Sequence, residues 1–325
     1  MTLSRRDTLM TLLSGLSVAV TPAIAQRSPN WPDKPIRFVV PYPAGTPPDI
    51  LTRYVAERVS QHLGQPIPVD NKVGAGGAIG TEFVARASPD GYTFLVTPSG
   101  TMTIAPLVRK LNYSLDDFAP VAQLGLIDAI ATVRPNLPFA NYKEFVAAAK
   151  SSPGKYTFAS NGPGSATQLI GKILHRQAGI DVLEVPYKGA TDSLTDLLGG
   201  RVDIMYAPIT VPQIKAGRLK GLATIGHRRN PEVPDVPTLG EQGFDLSKVP
   251  GNWFGIFAPN GTPQAVVGKM AEQIQRVLET ADARQQLQAA SIVVDFKGPR
   301  AFAGIVGADI ATMRAVIQRE GLQAK

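Results

Sequence analysis

The chain predicts an α/β fold in two domains, and three features of its 325 residues carry that expectation. Short β-branched and aromatic runs alternate with stretches of helical spacing, a pattern of layered α/β structure rather than of an all-helical or all-strand protein. The length suffices for one large core or two moderate ones. A long apolar stretch at 121–133 is placed to cross between domains, and Trp253-Phe254-Gly255-Ile256-Phe257-Ala258 reads as a strand returning to the first.

The first 25 residues read as an export leader. Ser4-Arg5-Arg6-Asp7-Thr8-Leu9 carries a twin arginine, residues 9–20 are a short apolar run, and Ala23-Ile24-Ala25 is a small-x-small cleavage pattern. The run falls short of the roughly 20 residues that a bilayer span needs. Twin-arginine export is expected, with ordinary secretion as the alternative, and cleavage before Gln26 leaves 300 residues bound for the periplasm. No later segment reads as transmembrane.

The first structural unit is strand, loop and helix. Ile36-Arg37-Phe38-Val39-Val40-Pro41 reads as a short buried strand, and apolar Ile50, Tyr54, Val55, Val59 and Leu63 fall at helical spacing. Thr46 suits the N-cap, its hydroxyl accepting from an amide one turn on, and Pro47 suits the first helical position. Asp49 meets the positive end of the helix dipole, four residues before Arg53. Pro43, Ala44 and Gly45 carry no bulky or polar side chain. The loop therefore reads either as a capped helix start alone or as an open row of amides suited to a small carboxylate or phosphate.

A second strand at 67–71 leads into Lys72-Val73-Gly74-Ala75-Gly76-Gly77-Ala78-Ile79-Gly80 and a helix through Ala87. The dinucleotide fingerprint needs glycine at first, third and sixth places, and from Gly74 the sixth place is Ile79. Backbone approach to a small ligand and tight helix packing both remain. A third strand at 92–96 ends in Thr97-Pro98-Ser99-Gly100-Thr101 before further helix. Loops beyond strand C-termini are where open α/β sheets bind ligands, so three such turns in succession point to a site.

The second half repeats the theme. A helix at 139–150 precedes a strand at 156–159, the loop Ser160-Asn161-Gly162-Pro163-Gly164-Ser165-Ala166-Thr167, and a helix at 168–178. Ser165 and Thr167 suit capping, and the same hydroxyls suit holding a carboxylate. A strand at 182–185 leads to Pro186-Tyr187-Lys188-Gly189, where Tyr187 suits a pocket wall and Lys188 reads as a solvated charge more than as a ligand partner. A helix at 191–198, a strand at 219–225, and Thr262-Pro263 opening a helix at 264–280 with the Thr46-Pro47 cap chemistry follow. A last helix at 300–320 completes the pattern.

The formal charge of +7 falls to +6 once Arg5, Arg6 and Asp7 are set aside with the leader, and a basic surface draws anions toward a cleft. Lysines and arginines are scattered and Arg228-Arg229 reads as a solvated loop, so no nucleic-acid partner is expected. The absence of cysteine excludes disulfides, thiol catalysis and thiolate metal sites. His62, His175 and His227 lie far apart and read as surface or packing residues rather than metal ligands. The Gly-x-Ser-x-Gly elbow is absent around Ser99 and Ser165. No catalytic residue, cofactor or metal is expected.

Several stretches together resemble one family, the Bug-type extracytoplasmic solute receptors that serve tripartite tricarboxylate transporters. They are Pro41-Tyr42-Pro43-Ala44-Gly45 with Asp49, Asn71-Lys72-Val73-Gly74-Ala75-Gly76-Gly77, Asp90-Gly91-Tyr92-Thr93, Pro186-Tyr187-Lys188-Gly189, Pro234-Asp235-Val236-Pro237-Thr238, and Ala258-Pro259-Asn260-Gly261-Thr262-Pro263. The resemblance implies a two-domain periplasmic-binding-protein-like fold of type II, with a central ligand cleft and a hinge, closing over a small organic carboxylate. It also implies delivery to a two-component membrane permease. Domain 1 is expected at 26–125 plus 252–325 and domain 2 at 126–251, hinged near 124–127 and 249–253. Carried over residue by residue, ligand contacts fall on Tyr42, Pro43, Ala44, Gly45 and Asp49, on Gly76 and Gly77, and on Ser160, Gly162, Ser165 and Thr167. Their neighbours Thr46, Ser99, Asn161, Ala166 and Tyr187 complete the candidate set. Two positions depart from the family pattern: Thr46 stands where a second glycine is common, and Gln168 where a histidine is often found.

The function expected is that of a non-catalytic, monomeric periplasmic receptor. Its ligand is a di- or tricarboxylate, an acidic amino acid or an aromatic acid such as terephthalate. A sensor of the same fold for a signalling partner, and an exported hydrolase, are the alternatives.

Overall fold

A computed structural model describes residues 31–162, 165–226, 228–246, 249 and 251–320. The export leader, its cleavage point, His227, and Pro163 and Gly164 of the third loop lie outside the described residues.

β1 (Arg37–Val40) leads through a loop into α1 (Pro47–Leu63), β2 (Val69–Asn71) through a glycine turn into α2 (Ala78–Ala85), and β3 (Thr93–Pro98) into two short helices, α3 (Ser99–Thr103) and α4 (Ala105–Val108). β4 (Phe118–Leu126) and β5 (Ala129–Val133) follow, then α5 (Tyr142–Ser151), β6 (Thr157–Ser160), α6 (Ala166–Ala178), β7 (Leu183–Pro186), α7 (Ala190–Leu198), β8 (Ile204–Ala207), α8 (Val211–Lys215) and β9 (Lys220–Ile225). β10 (Trp253–Pro259), α9 (Gln264–Leu278), α10 (Ala281–Gln288), β11 (Val293–Lys297) and α11 (Pro299–Glu320) close the chain. The strands form two mixed sheets, one of six in the order β11-β4-β10-β3-β1-β2 and one of five in the order β7-β6-β8-β5-β9.

Strand direction fixes where the loops point. β1, β2 and β3 are parallel, so their C-terminal loops leave the six-stranded sheet at one end. β10 runs antiparallel to β3, with Phe254 opposite Pro98, and β4 antiparallel to β10, with Leu126 opposite Trp253. The chain therefore leaves β4 and re-enters β10 at that same end. In the five-stranded sheet β6, β7 and β8 are parallel, and Ile130, near the start of β5, lies opposite Ala207, the last residue of β8. The chain enters this sheet at the end that carries its own C-terminal loops. Both loop sets thus flank the crossings, the arrangement in which open α/β sheets present ligand sites.

The two crossings are bonded side by side. The Ile127 amide donates to the Asn252 carbonyl at 2.9 Å, and the Asn252 side-chain amide donates to the Ile127 carbonyl at 2.7 Å. The apolar stretch at 121–133 is not one strand but two, β4 and β5, belonging to different sheets and parted at Ile127-Asp128.

Each sheet buries its own core. Trp253 stacks edge-on against Phe302 of α11 at 5.0 Å, over Gly255, whose missing side chain makes room: a Cβ there would lie 2.3 Å from the Phe302 ring. Tyr142, Phe145, Phe158 and Tyr206 fill the core of the five-stranded sheet. A further cluster joins Leu169 and Ile173 of α6 to Ile104, next to α3, and to Met313, Val316 and Ile317 of α11. It seats the first turns of α6 beside the helix that follows β3.

Three expectations need correction. In length and mean hydropathy α11 meets the measure of a membrane span, whereas no later segment was expected to; here Phe302, Val306, Met313, Val316 and Ile317 are buried in the protein. α10 and β11 were not anticipated, because α10 buries only Ala283 and Leu287 and β11 is half-buried along its whole length, so neither shows a clear apolar period. The Thr-Pro pairs do not cap as expected: the Thr46 hydroxyl donates to the Pro43 carbonyl at 2.6 Å, and the Thr262 hydroxyl to the Pro259 carbonyl at 2.7 Å. With Pro48 at the second helical position of α1, one of the two amides a cap side chain serves does not exist, and in α9 the cap position is Pro263 itself, one place after Thr262. Each hydroxyl closes the preceding turn instead.

Candidate functional site

The loop after β1 is held from below by Asp49. Its carboxylate, almost wholly buried, accepts from the Gly45 amide at 2.9 Å, from Arg53 Nε at 3.0 and 3.1 Å, and from the Asn71 side-chain amide at 2.8 Å. Burial alone raises the carboxyl, but Arg53, Gly45 and Asn71 together outweigh it and its pKa is lowered. Asn71 also donates to the Tyr42 carbonyl at 3.0 Å. Asp49 is thereby committed to shaping the loop, and the Gly45 amide, read from sequence as part of an open anion cradle, is engaged by it. Pro43, Ala44 and Gly45 stand exposed at the surface of that loop. Replacing Asp49 by Asn removes the charge facing Arg53 and turns a donor toward donors. A destabilisation of about 2 kcal/mol is expected, read from urea unfolding at pH 7, and an unchanged midpoint would count against this role.

The loop after β2 is bare backbone. Gly74, Ala75, Gly76 and Gly77 all have positive φ, and three of the four are glycines, which adopt it without strain. The two readings of these glycines divide by position. A Cβ on Gly80 would meet the Lys72 carbonyl at 2.7 Å and Pro41 at 2.9 Å, which is helix packing. A Cβ on Gly77 would meet the Tyr42 hydroxyl at 3.3 Å and Thr101 at 3.4 Å, and one on Gly76 would lie 3.0 Å from Arg109 Nη1. The Tyr42 hydroxyl bonds the buried Thr101 hydroxyl at 2.8 Å and donates to the Gly76 carbonyl at 3.4 Å. Burial raises the Tyr42 pKa against the opposing effects of the Thr101 bond and the Arg109 charge, so the phenol stays a neutral donor. Ser99, the first residue of α3, is buried, and its carbonyl accepts from the Thr103 hydroxyl.

The loop after β6 forms its own network. Ser160 donates to Glu184 at 2.6 Å and accepts from the Gly162 amide at 3.2 Å. Glu184 also takes both contacts of the Gln168 side-chain amide, at 2.8 and 3.0 Å. Since a carboxylate only accepts, the Ser160 proton is spent. Thr167 accepts from the Asn161 amide at 2.8 Å, Ser165 caps α6 by accepting from the Gln168 amide at 3.2 Å, and the two hydroxyls bond each other at 3.1 Å. That pair holds two protons and uses one between its members, so among the described residues one hydroxyl donor remains for an acceptor outside the network. Ala166 packs on the cluster of Ile104 and Leu169. Tyr187 is tied in through its amide, which donates to the Ser160 carbonyl at 2.8 Å, while its hydroxyl donates to Asp196 at 3.0 Å. Lys188 is exposed.

The candidate residues thus gather into two bonded groups, Tyr42 to Asp49 with Gly76 and Gly77 on one sheet, and Ser160 to Thr167 with Tyr187 on the other. Ser99 stands apart from both networks. Sequence reasoning left Thr101, Arg109 and Glu184 out of the candidate set; each acts on a site residue across 30 positions or more or from a neighbouring strand, and only Thr101, in the hydroxyl-rich loop at 97–101, carried a local signal. No group of His, Asp and Glu suited to a metal ion occurs among the described residues. His62 is exposed and His175 is buried in the second core.

Among the described residues, one hydroxyl proton of the Ser165 and Thr167 pair on one loop and the Arg109 guanidinium over the glycine turn of the other are left to donate, a surface suited to an acceptor-rich small molecule. Residues 43–322 match the family model of the tripartite tricarboxylate transporter family receptor. The chain belongs to this family. Among solved receptors, the periplasmic binding protein BugD is 32% identical, with a TM-score of 0.73 over 91% of this chain and 100% of its own. MatC of Rhodopseudomonas palustris, solved with bound malate, is 33% identical, with a TM-score of 0.71 over 88% of this chain and 100% of its own. A second R. palustris protein, solved with adipate, is 29% identical, with a TM-score of 0.76 over 91% of this chain and 100% of its own. The fold is the two-domain periplasmic-binding-protein fold of these receptors.

Proposed function

We propose that this receptor captures a small organic carboxylate between its two sheets in the periplasm and hands it to a two-component membrane permease. The observation that carries the reading is the strand register, which sends the C-terminal loops of both sheets to the end where the chain crosses between them. The lobes are 26–125 plus 252–325 and 126–251, hinged at 124–127 and 249–253, and the mature chain begins at Gln26 and acts as a monomer. Ligand bridging both loop sets favours the closed arrangement. Malate and adipate in two relatives support a carboxylate ligand.

A thermal-shift screen of residues 26–325 against aliphatic, hydroxylated and aromatic carboxylates tests this. Ligand at about 100 times its dissociation constant adds about 2.7 kcal/mol, a clear shift for a chain of this size. No shift with any carboxylate, together with no bound acid in native mass spectrometry of the purified protein, overturns the reading.

A further inference from the structure

We propose that Arg109 sets the ligand specificity of the cleft, taking the second anionic group of a dianionic ligand and so selecting dicarboxylates over monocarboxylates. The inference rests on the receptor reading above and assigns one residue a part in it.

Arg109 follows α4, and its guanidinium reaches back over the glycine turn after β2, where Nη1 donates to the Ala75 carbonyl at 3.4 Å. Gly76 favours this approach: its φ is +66°, which glycine adopts without strain, and a Cβ there would lie 3.0 Å from Nη1 and push the guanidinium back by a few tenths of an ångström. Its charge is felt at the Tyr42 phenol, which faces the same turn. Two other arginines of the chain's first lobe show the contrast. Arg53 is consumed by Asp49 and Asn71, and Arg58 by Asp282. Among the described residues Arg109 forms no ion pair, and its bond to the Ala75 carbonyl is long and neutral, which leaves most of a five-donor fork open.

Among the described residues, the opposite loop offers a single spare hydroxyl proton from Ser165 and Thr167; Lys172 lies beside Glu184, and Lys188, next to Tyr187, is an exposed charge. One carboxylate fits that hydroxyl end. A ligand with a second carboxylate reaches a guanidinium at the other wall, where planar two-oxygen recognition is what arginine does well. A monocarboxylate leaves Arg109 solvated and gains nothing from it. The nearby turn amides at the start of α2 add to the same positive field.

Titration calorimetry on residues 26–325, with matched pairs of succinate and butyrate, malate and 3-hydroxybutyrate, and adipate and hexanoate, tests this. Wild type is expected to prefer the dianion of at least one pair by tenfold or more, as a hydrogen-bonded charge contact provides. Arg109→Gln keeps a donor for the Ala75 carbonyl and removes the charge; it should erase that preference, leave the monoanion within about twofold, and flatten the salt dependence of dianion binding. Arg109→Lys should restore part of it. Equal loss of both members of a pair in Arg109→Gln, or no dianion preference in wild type, overturns the role of Arg109 while leaving the receptor reading intact. Binding of none of the six acids, with none carried through purification, overturns this inference, while the carboxylate reading falls only if the wider thermal-shift screen is silent as well.

Discussion

Ser165→Trp is expected to weaken carboxylate binding by at least about a hundredfold while the protein stays folded. Ser165 sits at the N-cap of α6, where its hydroxyl accepts from the Gln168 amide and shares a proton with Thr167. An indole there removes the spare donor and fills the mouth of the loop, and overpacking of this kind costs about 1–3 kcal/mol even where the surroundings yield. The lost cap alone costs about 1 kcal/mol, which a domain of this size survives. Ser165→Ala separates the two effects, since it loses the cap and the hydroxyl but adds no bulk. Its affinity should fall by only about tenfold, the worth of one hydrogen bond. If calorimetry finds Ser165→Trp binding as tightly as wild type, the ligand does not touch this loop.

The architecture was legible in the sequence because its signals are local. The buried strand before Pro41, the helix from Pro47, and the hydroxyl and glycine loop after Ser160 are each written within a dozen residues, and the structure has an element at each place. The direction of a hydroxyl was not legible. Thr46 sits at the cap of α1 and Thr262 one place before the cap of α9, which is Pro263, yet both protons go backward, to Pro43 and Pro259. Glu184 shows a second limit. It reads as one acidic residue in an edge strand, and only the pairing of β6 with β7 puts it beneath Ser160 and Gln168. Arg109 is the same case at longer range, an exposed arginine by sequence that the fold returns to Gly76 across 33 positions. Alternation places the loops; pairing across strands decides which of their donors remain free.

Mild acid should loosen the lobe that carries the Ser165 loop, and His175 is the reason. It lies in the last turn of α6, buried, with Nε2 2.7 Å from the Tyr206 hydroxyl and its ring 4.7 Å from that of Phe158. Tyr206 in turn bonds Tyr142 at 3.3 Å, so the partners around the imidazole are neutral rings and hydroxyls. Burial holds its pKa down at about 3, against 6.5 in an exposed histidine. The folded state thus keeps His175 neutral where the unfolded chain takes up a proton, and stability is complete above pH 6.5 and lost progressively as pH falls toward 3. The slope approaches 1.4 kcal/mol per pH unit, which amounts to about 2.7 kcal/mol by pH 4.5. Carboxylates with lowered pKa, such as Asp49 and Glu241, lose their contribution at lower pH, so the window from 6.5 to 5 belongs to the histidine. Urea midpoints across that window should fall steeply in wild type and stay nearly level in His175→Gln, whose amide can still bond the Tyr206 hydroxyl in either direction but does not titrate. Parallel slopes would assign the acid sensitivity elsewhere. Because the fold keeps His175 neutral across that window, the native Ser165 loop at the other end of α6 is unchanged, and ligand affinity of the folded protein should stay level from pH 6.5 to 5 while the urea midpoint falls.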